Sequence, residues 1–115
     1  MKKIQSENYL ERIPVKADIK WKLQENSRVT LEIENKGMFN RMAQKFFKKP
    51  KISYVHLDEM GSFIWTLIDG EKDIITIGEH VKETFGEKAN PLYERLSKYI
   101  RILNIYGFIT FKRSA

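Results

Sequence analysis

The chain contains no cysteine. That excludes a disulfide scaffold, a thiolate zinc site, an iron–sulfur cluster and a cysteine nucleophile together. Long apolar runs are missing as well. The longest unbroken hydrophobic stretch is three residues, as in Phe63-Ile64-Trp65, against the roughly 20 that a membrane-spanning helix needs. Met1-Lys2-Lys3 has no apolar segment behind it, so the start does not read as a signal peptide and the expected compartment is the cytoplasm. Histidine is scarce: His56 and His80 have no second histidine or carboxylate at i+4, the spacing at which a helix face holds a metal. His56 reads as a structural strand residue and His80 as a surface one. Gly61, Gly70, Gly78 and Gly86 are dispersed and form no phosphate-binding loop, and there is no nucleophile elbow. Neither catalysis, a metal nor a cofactor is expected.

What is present suits one domain. The 115 residues carry 42% hydrophobic side chains, among them seven Phe, five Tyr and two Trp, enough for a single core and too short a chain for two. The net charge of +6 is local. Lys36, Arg41, Lys45, Lys48, Lys49 and Lys51 fall in one segment without an acid, and outside it the two signs balance. Such a block suits either a solvated helix face or contact with an anionic partner: nucleic acid, lipid headgroups or an acidic peptide.

Residues 1–17 show no period and contain Pro14, so they are expected to be an arm, with a single domain over 18–115. Ile19, Trp21 and Leu23 then alternate with Lys20 and Lys22. After the polar stretch Gln24–Arg28, Val29, Leu31 and Ile33 alternate with Thr30, Glu32 and Glu34. Two period-2 runs about a short polar turn predict a β-hairpin with one buried face. Phe39, Met42, Ala43, Phe46 and Phe47 change to helical spacing, which predicts a short basic helix ended by Pro50. Ile52–Leu57 reads as a third strand.

Three helices should follow. Asp58 caps the first, with Met60, Phe63, Ile64, Leu67 and Ile68 at core spacing and Asp69-Gly70 as the stop. The second starts either at Asp73, which puts Ile74, Ile77, Val81 and Phe85 on one stripe, or at a Thr76/Glu79 capping box. Asp73 accounts for more of the apolar residues. Asn90 and Pro91 mark the start of the third and Gly107 its end, with Leu92, Leu96, Tyr99, Leu103 and Tyr106 as the core stripe, widened by Tyr93 and Ile100. A short extended segment, Phe108–Phe111, closes the chain. The fold class is α+β and winged helix-turn-helix-like: a three-stranded antiparallel sheet, an extra basic helix between its second and third strands, then three helices.

That order invites a nucleic-acid reading based on segment 36–51. A reading helix, however, needs Arg, Lys, Asn or Gln in its first turns, and the third helix begins Pro91-Leu92-Tyr93-Glu94-Arg95. The basic block also lies in the strand-rich half, away from that helix.

Leu57-Asp58-Glu59-Met60-Gly61-Ser62-Phe63-Ile64-Trp65, followed by Leu67-Ile68-Asp69-Gly70, resembles the signature of the pyrroloquinoline quinone biosynthesis protein D (PqqD) family. The stripe Ile74, Ile77, Val81, Phe85 and the helix end Gly107-Phe108-Ile109 are similar too, so the resemblance spans Ile52 to Phe111. It implies a winged-helix variant that acts as a RiPP recognition element. Such a peptide chaperone binds the leader of a ribosomally made precursor peptide and presents it to a modifying enzyme, commonly a radical S-adenosylmethionine (SAM) enzyme. The leader adds to the edge of the third strand, in a groove against the third helix. Carried onto this chain, the edge is Ser53, Tyr54, Val55 and His56, and the helix offers Tyr93, Leu96, Ser97 and Ile100, with Arg101 for an acidic leader residue. A proline-free strand keeps the N–H donors that strand addition requires, and a proline at Val55 is expected to remove one. The same edge would also serve self-pairing in a homodimer or structural subunit. The segment 36–51 is longer and more basic than the family's usual connection there.

Overall fold

The computed structural model describes residues 8–34 and 52–112. The expected basic helix and its cations Lys36, Arg41, Lys45, Lys48, Lys49 and Lys51 lie outside the described residues. Five strands and three α-helices are present among those described: β1 (Pro14–Lys16), β2 (Lys20–Leu23), β3 (Val29–Glu34), β4 (Ile52–His56), α1 (Glu59–Leu67), α2 (Ile74–Phe85), α3 (Leu92–Ile105) and β5 (Ile109–Phe111). The class is α+β, with β2-β3-β4 forming a three-stranded antiparallel sheet and β1-β5 a separate antiparallel pair.

The hairpin forms where the alternation changes to polar residues. Gln24 N–H donates to Arg28 O (2.7 Å), and Asn26 Oδ1 accepts from Arg28 N (3.0 Å), as short polar side chains do in turns. One face of the sheet is buried, but not along its whole width. Val29 and Leu31 are fully buried, whereas Leu23 is 54% exposed and Trp21 38%. The difference is positional. Central strand β3 lies under the helices, and β2 lies at the edge, where Trp21 reaches the core through an edge-on contact with Trp65 (6.2 Å between centroids).

Helix starts follow local chemistry. Asp58 Oδ1 accepts from Gly61 N (2.7 Å) to cap α1, and Asp73 Oδ1 accepts from Thr76 N (2.8 Å) to cap α2, which decides for Asp73 over the Thr76 box. The start of α3 differs by one residue from expectation. Asn90 N–H closes the preceding 3-10 turn, Gly86–Ala89, by donating to Glu87 O (3.1 Å). Its side chain does not cap; the Asn90–Pro91 peptide is cis, and Pro91 holds the cap position. Tyr106, expected in the core stripe, is 69% exposed and stacks on Phe108. The helix ends at Ile105 and the chain reverses at Gly107 (φ 80°), so Tyr106 lies beyond the last turn over the core. Leu96, Ile100 and Leu103 meet Ile64, Trp65, Ile74, Ile77 and Val81 there.

The segment expected to be an arm is docked from residue 8 onward. Tyr9–Glu11 form a 3-10 turn capped by Asn8, Arg12 O accepts from Ile74 N (3.1 Å), and β1 pairs with β5 through Pro14↔Phe111, Val15↔Thr110 and Lys16↔Ile109. The Lys16 ammonium lies 5.2 Å and 5.3 Å from the Trp21 and Trp65 ring centroids and donates to Ile68 O. Burial lowers its pKa, offset in part by Asp69. Among the described residues no helix is long and apolar enough to cross a membrane.

Candidate functional site

β4 is the last strand of the sheet among the described residues, and its ladder has a readable phase. Leu57 N–H donates to Val29 O (2.9 Å), so 29/57 is a hydrogen-bonded pair. In an antiparallel ladder such pairs alternate with non-bonded ones, and the register 31↔55, 33↔53 continues the bonded set. Val55 and Ser53 therefore turn their main-chain groups toward β3, while Tyr54 and His56 turn theirs to the outer edge. This corrects the expectation for Val55: its N–H belongs to the internal ladder, and Tyr54 supplies the outward donor. The Tyr54 side chain is 58% exposed, and the His56 ring meets Thr30 Oγ1 through Nδ1 (3.0 Å).

Where β4 runs into α1, a cavity of about 350 Å³ opens between that junction and α3, at the lower end of the range of roughly 300–1,000 Å³ typical of ligand pockets. His56, Leu57 and Asp58 form one wall, Met60, Gly61 and Ile64 the second, and Leu92, Arg95, Leu96 and Tyr99 the helical wall, with Val81 and Ala89 completing it. The wall on α3 follows i, i+3, i+4, i+7 spacing, one face of a helix.

Gly61 lets the walls meet. A Cβ there would lie 2.8 Å from Asp58 Oδ1 and 2.9 Å from Tyr99 Oη, so only glycine admits the tyrosine. Tyr99 Oη donates to Gly61 O (3.0 Å). Burial, with Asp58 adding to it, raises its pKa well above the ordinary tyrosine range and keeps the hydroxyl protonated. The polar groups on the cavity walls are thus largely engaged by the fold: Asp58 with the α1 N-terminus, Tyr99 with Gly61, His56 with Thr30.

Of the helix residues named from the sequence, Leu96 opens on the cavity. Tyr93 faces α2, its ring against Gly78 and its hydroxyl donating to Ile75 O (3.1 Å). Ile100 is fully buried in the core, Ser97 is half-buried, and the Arg101 guanidinium lies 4.5 Å from the centroid of the Tyr9 ring. The face that lines the cavity instead includes Leu92, Arg95 and Tyr99, about one residue step, or 100°, around the helix. Leu92 and Tyr99 were legible as apolar stripe members. Arg95 carried no signal, because an exposed arginine in a first helical turn is ordinary.

A family model described as Coenzyme PQQ synthesis protein D (PqqD) matches residues 29–109, from the first residue of β3 to the first of β5. The chain belongs to the PqqD family. Neither a curated protein nor a solved structure matches it. The span that defines it as a PqqD-family chain includes β4, α1 and α3, and so every wall of the cavity.

Proposed function

We propose that this PqqD-family chain is a non-catalytic accessory protein of a biosynthetic pathway. It binds the leader of a ribosomally synthesised precursor peptide by strand addition and presents it to a peptide-modifying enzyme of the radical SAM kind, in the cytoplasm and without a cofactor of its own. One observation carries this reading: the outward ladder positions Tyr54 and His56 of β4, the last strand of its sheet among the described residues, lead directly to a cavity of mixed polar and apolar lining walled by α3. Strand addition takes affinity from main-chain hydrogen bonds and selectivity from pockets for alternate side chains, and this edge offers both. A winged-helix nucleic-acid reader is less well supported, since the first turn of α3 commits Leu92 to the cavity and Tyr93 to Gly78.

The test is a pull-down from source cells with tagged protein at near-physiological salt, with intact-mass and nucleic-acid analysis of the eluate. The recovered peptide is then resynthesised and titrated. One short peptide that binds the native chain and loses affinity to Tyr54→Pro is expected. Nucleic acid released steeply by added salt, or a concentration-dependent dimer with no peptide, would replace this reading.

A further inference from the structure

We infer that Arg95 makes the groove selective for a peptide carrying an acidic side chain two positions from the apolar one that fills the cavity, an inference that rests on the strand-addition reading. Arg95 stands on the cavity-facing stripe of α3, one turn from both Leu92 and Tyr99. Its Nη1 donates to Lys88 O (2.8 Å), which fixes the guanidinium at the rim, and the side chain is exposed. Arg95 takes part neither in the Lys72–Asp69 ion pair nor in the His80–Glu83 contact, and it faces the cavity without a carboxylate partner among the described residues.

The other charge at the cavity does not compete for that role. The Asp58 carboxylate accepts from Gly61 N and sits at the positive end of α1. Tyr99 stays neutral, and its hydroxyl donates a hydrogen bond to Gly61 O. Arg101, the cation that sequence reasoning assigned to an acidic leader residue, is instead held over Tyr9. A peptide strand puts residues i and i±2 on the same face about 7 Å apart. An apolar anchor among Leu92, Leu96 and Ile64 therefore brings the side chain two positions away to the rim, where a carboxylate meets Arg95.

The probes are fluorescein-labelled peptides Thr-Z-Ser-Phe-Ser-Z-Val-Thr with Z as Glu, Gln or Lys, and a second set with Ala for Phe, titrated by anisotropy. The Glu peptide should bind the native chain about fivefold more tightly than the Lys peptide, as an exposed ion pair allows. Arg95→Glu should reverse that order, and Arg95→Gln should bring the affinities level. Ala for Phe should weaken every peptide. Equal affinities for the native chain, or an order unchanged in Arg95→Glu, would overturn the charge selection alone. Failure of every peptide to bind would overturn strand addition at this edge and the inference with it.

Discussion

The ring of Tyr93 on α3 lies against the bare α-carbon of Gly78 on α2, so close that a Cβ there would come within 2.4 Å of the ring. The ring cannot swing aside freely because its hydroxyl donates to Ile75 O. Alanine is preferred to glycine in a helix by about 0.8–1.0 kcal/mol, but overpacking costs about 1–3 kcal/mol, and here the obstacle is an anchored ring. Gly78→Ala should therefore lower stability in urea denaturation. Truncating Tyr93 to Leu in the same chain should recover part of the loss, a coupling that a double-mutant cycle reads directly.

Ser62 repairs the end of the β3–β4 ladder. Val29 N–H donates to Ser62 Oγ (2.8 Å), and that hydroxyl donates to Leu57 O (3.3 Å), so α1 bridges the half of the 29/57 pair that the strands leave open. Ser62→Ala would strand a buried N–H, at a cost of about 1–3 kcal/mol. The expected outcome is a lower urea midpoint with an unchanged m-value, together with faster amide exchange at Val29.

Tyr99 gives the chain an alkaline limit. Its folded-state pKa is raised by burial and by Asp58, while the unfolded chain ionises near the ordinary tyrosine value of about 10. The contribution is complete below pH ~10 and is lost as pH rises from there toward the folded pKa. The slope from this group approaches ~1.4 kcal/mol per pH unit. Tyr99→Phe should be less stable at pH 8, having lost the bond to Gly61 O, yet show a shallower alkaline decline. Parallel declines in the two proteins would refute the assignment.

The ladder phase separates two prolines that sequence alone treats alike. Tyr54→Pro removes an outward N–H and should cost peptide affinity about threefold to tenfold, the worth of one hydrogen bond, with little change in thermal midpoint. Val55→Pro removes a bond to Leu31 on β3 and should lower the midpoint markedly. Midpoints that rank the other way would reverse the ladder phase.

Much of this was legible in the chain. Alternation placed β2 and β3, aspartates placed the starts of α1 and α2, and Gly86 and Gly107 placed the ends of α2 and α3, because turns, caps and hydrophobic periodicity are local properties of neighbouring residues. The family resemblance rested on the same local punctuation around Asp58–Gly70, and the match over residues 29–109 extends it. Tertiary structure alone decided the rest. Strand β1 is three residues long and pairs with residues some 95 positions away, so no period could announce it. The exposure of Leu23 and Tyr106 depends on what does not cover them, which a pattern of apolar residues does not record. The groove-facing side of α3 follows from close contacts at Gly61 and Gly78, where a missing side chain sets how the helix is rotated against its neighbours. A rotation of one residue step moves Tyr93 and Arg101 away from the cavity and brings Arg95 and Tyr99 to it, because helical periodicity fixes which residues share a face and only packing fixes where that face points.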